Sequence, residues 1–474
     1  QHSRPRRGAQ ESQSHPLSLM SASNSTPWTD LEYLGGFGNH CQTECLEGAV
    51  PRGQNTPQKC PYSLVAEQLS GRAFTVPRKD QQRSWLYRIR PCIGHSRFTP
   101  LEADFSPHWM SNFDTEGVVD PNQMRWNPVP LAEPSEGEVT FLQGFFSMVG
   151  AGSPHCKTGF AGHIYSCNRS MPQDSVFSNS DGDMLIVPQL GALLITTELG
   201  RLRVEPQEIC VIQRGIRFHV QLEEDGSPAR GYICELFESS FRIPDLGPIG
   251  ANGLANPRDF QTPVAWYEDK QGDHTLIQKF QGTFWSAKYD HSPFDVVGWH
   301  GNYAPYKYDL RLFNTVNSVS YDHMDPCIFT VLTAPSLEPG VAVMDFVIFP
   351  PRWSVHENTF RPPYYHRNVM AEYMGLIAGT YEAKEKGFLP GGGSLHSCMT
   401  AHGPETAVYK KASEAPQVPE KIGTGALAFM FESTYMMKLS TFSANNLQDH
   451  EYHECWADFP KHFNPENPVP GSYL

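Results

Sequence analysis

Two histidines and one glutamate in the last quarter of the chain are residue types that hold a redox-active metal. His366 and Glu372 lie six positions apart, and His402 follows the glycine run 391–393. Two neutral imidazoles and one carboxylate on one side of an iron ion leave other positions open for a substrate and dioxygen. Zinc more often takes a closed tetrahedron or a third histidine. The three residues are therefore a candidate Fe(II) site.

The spacing of His366 and Glu372 favours a β-strand over a helix. Side chains of a strand alternate between its faces, so residues an even number apart share a face. On a helix, six residues turn through about 600°, which leaves the two side chains roughly 120° apart. Prolines 362 and 363 also prevent a helix from entering this segment. We therefore expect a strand over 366–377 that carries both ligands on one face.

Other side chains should join that face and line a pocket. Asn368, Met370 and Met374 lie at even spacing from His366. The glycine run 391–393 provides a flexible turn that can fold the chain back and deliver His402. Histidines of the C-terminal tail are not expected to bind the metal. In the tail, His450 and His453 belong to a surface helix or loop, although metal binding there stays an alternative.

Composition excludes some functions and favours a β-rich fold. The 474 residues carry a net charge of −14, and no Lys/Arg-rich run occurs beyond 4–7, which argues against a nucleic-acid partner. With 39 Gly and 40 Pro, the chain is typical of short strands joined by turns. Apolar runs at 184–188, 192–197 and 341–349 are short and rich in β-branched residues, as buried strands are. None reaches the roughly 18 residues that cross a membrane.

These patterns predict a mainly β protein with two jelly-roll or cupin-like β-barrel parts, long loops and a few short helices. Glycine-punctuated hairpins over 180–215 indicate the first barrel. We expect a disordered extension at 1–28, a structural β-sandwich or cupin-like domain at 31–290, and a catalytic, metal-binding domain at 291–474. A targeting peptide is the alternative for 1–28. In the last domain we expect strands near 328–332, 341–349, 366–377 and 426–431. Short helices should lie near 257–267 and in the last 30 residues.

The cysteines indicate a reducing compartment. Eleven cysteines, an odd number, are scattered along the chain without the spacing of a disulfide framework or a zinc site. Together with the lack of a secretory signal, this pattern predicts a cytoplasmic protein with reduced thiols.

Several segments resemble the homogentisate 1,2-dioxygenase family. They include RPPYYHRN at 361–368, GGGSLHS at 391–397, AHGP at 401–404, WHGNYAPYKYDL at 299–310 and DLGPIGANGLANPRDF at 245–260. Further segments are GGFGNHCQTEC near the start, YSLVAEQLSG at 62–71, RSWLYRI at 83–89 and SDGDMLIVPQ at 180–189. The resemblance runs from about residue 31 nearly to the C-terminus, so it covers almost the whole chain.

The resemblance implies a role for individual residues. The family's iron ligands fall on His366, Glu372 and His402, the residues that the spacing singled out. Its catalytic histidine corresponds to His323, and its substrate-binding tyrosine to Tyr381, with His402 also beside the substrate. His396 corresponds to a histidine close to the iron, and Asn368 is expected to support the ligands in the same way.

The resemblance also implies a reaction and an assembly. The expected cofactor is Fe(II), the substrates are homogentisate and O2, and the ring-cleaved product is maleylacetoacetate in tyrosine and phenylalanine catabolism. The family forms trimers that pair into hexamers, so a homo-oligomer is expected, with neither nucleic acid nor membrane as partner. A zinc or manganese isomerase on a cupin scaffold and a non-catalytic storage protein are the alternatives from other classes.

Overall fold

The computed structural model describes residues 27–101, 105–245, 254–315, 329–384 and 386–466. In chain order the strands are β1 (Tyr33–Gly35), β2 (Cys41–Glu44), β3 (Val65–Ser70), β4 (Arg83–Arg88), β5 (Thr99–Pro100), β6 (Met124–Trp126), β7 (Phe145–Ser153), β8 (Thr158–Cys167), β9 (Ser175–Asn179), β10 (Asp183–Leu190), β11 (Leu193–Thr197), β12 (Gly200–Val204), β13 (Glu208–Ile212), β14 (Arg217–Leu222), β15 (Ala229–Leu236), β16 (Gln261–Pro263), β17 (Gln271–Phe280), β18 (Thr283–His291), β19 (Val296–Gly301), β20 (Tyr306–Asp309), β21 (Thr330–Pro335), β22 (Ala342–Phe349), β23 (Arg352–Ser354), β24 (Ala371–Ala378), β25 (Gly393–His396), β26 (Glu420–Ile422), β27 (Leu427–Ser433) and β28 (Lys438–Leu439).

Helices are few and short in these residues. The α-helices are α1 (Phe113–Glu116), α2 (Thr406–Glu414) and α3 (Thr441–Asn445). Single 3₁₀ turns cover Trp28–Asp30, Pro61–Ser63, Arg78–Asp80, Pro257–Asp259, Leu310–Leu312 and Tyr452–Trp456. None of the described helices has both the length and the apolar character needed to span a membrane.

Strands β8 to β15 pair as a folded hairpin. The strands β11 and β12 pair at its closed end, and outward from them β10 pairs with β13, β9 with β14 and β8 with β15. Successive pairs alternate between a nine-stranded sheet and a seven-stranded sheet. Eight strands nested in this way across two sheets form a jelly roll. The jelly roll predicted from the glycine-punctuated hairpins is therefore present in the N-terminal part.

The nine-stranded sheet is the middle layer of the molecule. The side chains of its strand β10 enter a hydrophobic core on each face of the sheet. Leu185 and Val187 point into a core shared with the strands of a six-stranded sheet. Met184 and Ile186 point into the other core, which is shared with the seven-stranded sheet. Alternate side chains of one strand lie on opposite faces, so an uninterrupted apolar run is required where both faces are buried. Each fully buried side chain of this kind contributes about 1.5–3 kcal/mol.

The C-terminal part repeats the nested pattern on a smaller scale. Strand β24 pairs with β25, β23 with β26 and β22 with β27. The pairs formed by β24 and β25 and by β22 and β27 belong to the six-stranded sheet, and β23 and β26 form a separate sheet. Strands of the two parts also pair with each other. The N-terminal strand β6 pairs with β25, and the C-terminal strand β28 pairs with β7. The pairing of β6 with β25 attaches the β24 and β25 hairpin to the N-terminal part.

The mainly β prediction is confirmed, and β22 and β27 match the strands expected near 341–349 and 426–431. The short helix expected near 257–267 is present only as the 3₁₀ turn Pro257–Asp259. After the 3₁₀ turn Pro257–Asp259, in which the Asn256 side chain accepts from the Arg258 amide, the chain becomes strand β16. Pairing of β16 with β1 and β20 satisfies its backbone better than a helix that would have to contain Pro263.

The division of the chain between residues 290 and 291 stays a prediction. Strands β19 and β20 follow that point, and they pair with β2, β4, β13 and β16, which precede it.

Candidate metal centre

Strand β24 supplies the carboxylate of the candidate site. Glu372 is the second residue of this strand, and its neighbours in register are His396 on β25 and Glu432 on β27. Glu372 is only 5% exposed, so its carboxylate needs partners inside the protein. The central position of β24 between two strands fixes this residue from both sides.

The strand expected over 366–377 begins only at Ala371, so His366 is not part of it. His366 instead forms an isolated antiparallel bridge with His402. Its amide donates to the His402 carbonyl at 3.0 Å, and the His402 amide donates back at 3.1 Å. The shared-face explanation for His366 and Glu372 is therefore wrong. The irregular segment 367–370 breaks the alternation, and a second backbone pairing brings the imidazoles together.

Both imidazoles of the bridge are oriented in the same way. The Nδ1 atom of His366 lies 2.7 Å from the Tyr364 carbonyl, and Nδ1 of His402 lies 2.9 Å from the Thr400 carbonyl. A carbonyl only accepts, so each Nδ1 carries the proton and donates it. The Nε2 atoms then present lone pairs, which is how a histidine ligand is held by a second hydrogen bond.

The Nε2 atoms converge on Glu372. His402 Nε2 lies 3.2 Å from Glu372 Oε2, and His366 Nε2 lies 3.8 Å from Oε1. One donor atom from each of the three residues lies within 4.8 Å of the others. Glu372 Oε1 and His402 Nε2 are buried without a hydrogen-bond partner in the described residues. Buried polar atoms left unpaired in this way fit a metal ion, which would satisfy all of them.

The charge state of the site suits metal binding. Burial opposes the charge on Glu372, but the facing imidazoles of His366 and His402 outweigh it and hold its pKa well below its ordinary value. The same pairing raises the pKa of His366 above its ordinary value. An ionised carboxylate beside two imidazoles that can exchange a proton for a cation is a donor set that suits a metal ion.

A second group of side chains lies behind the ligands. The His396 ring stacks on His402 with centroids 4.3 Å apart, and its Nδ1 lies 4.0 Å from Glu372 Oε2. Its Nε2 lies 3.1 Å from Lys384 Nζ and 2.9 Å from the Tyr452 hydroxyl. Burial and the nearby Lys384 ammonium lower the pKa of His396 well below its ordinary value, so the ring is neutral. An ammonium only donates, so Nε2 is the acceptor and the Nδ1 proton faces the ligand cluster.

A cavity opens beside the three candidate ligands. Besides them it is lined by His396, Lys384 and Tyr381 and by the apolar residues Phe349, Pro363, Met374, Ala383 and Met430, among others. Met374 therefore lies on the cavity wall, as expected. Asn368 and Met370 do not line this cavity and instead face a second cleft that shares His366 with it.

A family comparison decides the assignment. Models of the homogentisate 1,2-dioxygenase N-terminal and C-terminal regions match residues 32–310 and 311–463. The homogentisate 1,2-dioxygenases of Mus musculus and Homo sapiens are each 54% identical over 93% of this chain and 99% of their own. That of Dictyostelium discoideum is 57% identical over 90% of this chain and 96% of its own. The chain belongs to the homogentisate 1,2-dioxygenase family. It is thus a dioxygenase, and the resemblance found in its sequence is confirmed.

Similarity to solved structures adds nothing to this assignment. A cupin-2 domain protein from Shewanella frigidimarina matches 16% of this chain and 70% of its own at 16% identity, with a TM-score of 0.14. The jelly-roll description of this homogentisate 1,2-dioxygenase family member therefore depends on its own strand pairing.

The other site residues predicted for this homogentisate 1,2-dioxygenase family member lie in different places relative to the cavity. Tyr381 is 5% exposed, lies on the cavity wall and packs its ring against Phe349 and Phe388. Asn368 lies outside the cavity, where its amide donates to Glu432 Oε1 at 3.0 Å, and its support of the ligands stays a prediction. His323 lies outside the described residues, so its role remains a prediction from the resemblance.

Two residues of the centre were missed in the sequence. Lys384 and Tyr452 meet at His396, yet they come from a turn after β24 and from the C-terminal 3₁₀ turn. Neither carries a recognisable motif, although Lys384 follows Tyr381 by three residues in GTYEAK. Burial lowers the pKa of Lys384 from its ordinary value to about 7, which marks it as unusual only once the structure is known.

Proposed function

We propose that this chain is an Fe(II)-dependent ring-cleaving dioxygenase that converts homogentisate and O2 to maleylacetoacetate in tyrosine and phenylalanine catabolism. The observation that supports the proposal is the group formed by His366, Glu372 and His402. Both Nε2 atoms converge on the Glu372 carboxylate, and a cavity lies beside them. The relatives at 54–57% identity bear the name of this activity.

Iron held by these three residues would supply neighbouring positions for substrate and dioxygen, and would lower the pKa of a bound phenol as it does for bound water. Three protein ligands leave those positions open. Hydrogen bonds to the backbone hold the two histidine rings in the orientation that a metal ligand needs. The two Nδ1 hydrogen bonds to the carbonyls of Tyr364 and Thr400 fix both rings before any metal arrives.

The surrounding residues have separate tasks in this proposal. His323 takes or holds the phenolic proton of homogentisate, a task suited to imidazole near neutral pH. Tyr381 donates a hydrogen bond to the substrate from the cavity wall. His396 stacks on the His402 ring and turns its Nδ1 towards Glu372 across 4.0 Å, so it positions the ligand group. Asn368 acts through Glu432, which pairs with Glu372 across the sheet.

The apolar part of the cavity keeps water from competing with the aromatic ring. Phe349, Met374 and Met430 are among the residues that line the cavity. A ring that fits between these side chains displaces water from apolar surface, which favours binding and strengthens the nearby polar contacts. The same surface gives little reason to bind a sugar, whose ring is polar on all sides.

Assembly and location belong to the same proposal. The family resemblance supports a homo-oligomer built from trimers that pair into hexamers, and the scattered free cysteines support the cytoplasm. Light scattering after size-exclusion chromatography measures the mass directly. A monomer at micromolar concentration would contradict the proposed assembly.

Oxygen uptake tests the proposed reaction. Protein loaded with Fe(II) under anaerobic conditions is mixed with homogentisate and then with a measured amount of O2, while absorbance reports the ring-cleaved product. The proposal expects one O2 consumed for each homogentisate. Apoprotein and zinc-loaded protein serve as controls and should consume none. If iron is bound but no oxygen is consumed, the substrate assignment fails and a metal-dependent isomerase becomes the better hypothesis.

A further inference from the structure

His402 depends on side chains from elsewhere in the chain for its position. It lies in the irregular segment between β25, which ends at His396, and α2, which begins at Thr406. Its backbone bridge to His366 fixes one point of that segment. A ligand outside regular structure keeps a fixed geometry only if other groups hold both its ring and its backbone. One short 3₁₀ turn, Tyr452–Trp456, does both.

Tyr452 acts on the His402 ring through His396. The Tyr452 hydroxyl lies 2.9 Å from His396 Nε2, which is the accepting nitrogen. The His396 ring in turn stacks on the His402 ring, with centroids 4.3 Å apart and planes 6° apart. Tyr452 and His396 are 1% and 2% exposed. In such a close-packed interior, His396 cannot rotate without displacing the ring stacked on it.

Trp456 acts on the backbone beside His402. Its indole N–H donates to the Pro404 carbonyl at 3.0 Å, two residues after the candidate ligand. Pro404 has no backbone N–H, so its carbonyl is the backbone group that can be held at this position. Trp456 and His402 also line the same apolar cleft. The indole therefore supports the ligand segment from the side of that cleft.

The turn itself is anchored to the strand beside β25. Arg125 of β6 donates from Nε and Nη2 to Asp449 at 2.8 and 2.6 Å, and its guanidinium lies 4.5 Å from the centroid of the Tyr452 ring. The Asp449 amide donates back to the Arg125 carbonyl at 2.8 Å. Since β6 pairs with β25, which carries His396, the turn and the ring that it contacts share one support.

We infer that the turn Tyr452–Trp456 positions the candidate metal ligand His402, Tyr452 through the His396 ring and Trp456 through the Pro404 carbonyl. The two are positioning residues and do not touch the reacting atoms. This inference rests on the metal centre of the proposed function and not on its substrate. Loss of either hydrogen bond widens the range of positions that His402 Nε2 takes, and a less preorganised donor set binds a metal more weakly.

Two conservative variants test the inference. Tyr452→Phe and Trp456→Phe each remove one hydrogen-bond donor and keep an aromatic ring. Cobalt(II), whose visible absorption reports ligand geometry, is titrated into metal-free protein in competition with a chelator of known affinity. Each variant should bind cobalt about 3–10-fold more weakly, less than the 10–100-fold for a direct partner of a ligand, and its absorption band should shift.

Two further variants serve as matched controls. Tyr435→Phe and Trp285→Phe make the same chemical changes at hydrogen bonds to Glu238 and Thr283, away from the centre. Both should keep the cobalt affinity and the spectrum of the wild type. Wild-type affinity and spectrum in either Tyr452→Phe or Trp456→Phe would overturn the inference.

A double-mutant cycle separates positioning from a general loss of structure. If Tyr452 acts through His396, Tyr452→Phe should weaken cobalt binding by less than about twofold further in a His396→Gln protein. Trp456→Phe should keep its full effect in that background, because it acts through Pro404. An undiminished effect of Tyr452→Phe in His396→Gln would overturn the inference.

Hydrogen exchange in the metal-free protein tests the inference without any metal. In the wild type, the amides of Tyr452–Trp456 and of 397–405 should share one opening free energy, because the two segments are held together. Different opening free energies would overturn the inference even if the variants fail to fold. Wild-type protein that binds neither iron nor cobalt would overturn the metal centre of the proposed function, whereas the exchange result would still decide whether the turn positions His402.

Discussion

His366 and His402 hold each other through a pair of backbone hydrogen bonds, 3.0 and 3.1 Å long, outside any extended strand. Their rings lie with centroids 4.3 Å apart. The two histidines are thus placed by one local bridge, whereas Glu372 is placed by the sheet. The donor set therefore depends on contact between the bridge and the end of β24.

Loss of any one donor should abolish metal binding rather than only slow the reaction. His366→Ala, Glu372→Ala and His402→Ala should each weaken iron binding by more than about 100-fold, since loss of an outer-shell partner alone costs 10–100-fold. Activity should disappear with the metal. Elemental analysis after gel filtration measures the iron, and His453→Ala, at an exposed histidine, is the control. A variant that keeps its iron would remove that residue from the ligand set.

His396 should act on the metal through Glu372. Because its Nδ1 proton faces the carboxylate, His396→Gln should weaken iron binding by about 10–100-fold without eliminating it. Competition with a chelator of known affinity gives the dissociation constant. His300→Gln is a matched control, because His300 stacks on Tyr87 away from the site. Unchanged iron affinity in His396→Gln would mean that the ring serves packing against His402 alone.

The sequence predicted the general fold well because the apolar runs carry most of the information. The run at 184–188 became β10, whose alternate side chains enter two different cores. Because both faces of β10 are buried, the run at 184–188 contains no polar residue. The run therefore identifies a buried strand, but it does not show which strands pair with it. The pairing of β6 with β25 joins residues far apart in the chain, and no local pattern encodes such a contact.

The candidate site was found by residue type, but the reason from spacing was wrong. A strand through His366 and Glu372 would need regular backbone over 367–370, and there Asn368 and Met370 form a local turn-like contact instead, with the Asn368 Oδ1 accepting from the Met370 amide at 3.1 Å. Lys384 could not be found in the sequence, because what distinguishes it is its burial beside His396. Burial of one lysine is a property of the packed structure.

His323 is expected to serve the reaction and not the metal. Replacement by phenylalanine should leave iron bound while the turnover number falls by about 100-fold or more, the range for loss of a general acid or base. Steady-state kinetics together with an iron assay on the same sample separates the two effects. Turnover within about twofold of the wild type would leave His323 without a catalytic role.

Tyr381 should contribute to substrate binding through its hydroxyl. Tyr381→Phe keeps the ring that packs against Phe349 and Phe388, so the cavity wall should retain its shape. Loss of one hydrogen bond to a charged or strongly polar group should weaken homogentisate binding by about 1.5–3 kcal/mol. Anaerobic calorimetry measures it, with Tyr435→Phe as a control outside the site, where the hydroxyl donates to Glu238. An unaltered dissociation constant would exclude this role.

A buried ion pair in the first jelly roll should make stability depend on pH in the acid range. Glu235 is fully buried beside Lys279 and His163. Burial alone would raise its pKa, but the Lys279 ammonium and the His163 contact outweigh this and lower the pKa from its ordinary value of 4.5 to about 2. A folded-state pKa below the unfolded value contributes stability above the unfolded pKa, and that stability is lost as the pH falls towards the folded value.

The expected loss lies between about pH 5 and pH 2, and a separation of about 2.5 between the two pKa values corresponds to on the order of 3 kcal/mol. Chemical denaturation at several pH values measures it. Glu235→Gln cannot ionise, so its unfolding free energy should be lower at pH 7 and should fall less steeply below pH 5. Glu224→Gln, at an exposed carboxylate, should follow the wild type. Parallel pH curves for Glu235→Gln and wild type would show that the Glu235 carboxyl has the same pKa in the folded and the unfolded protein, and would contradict the prediction.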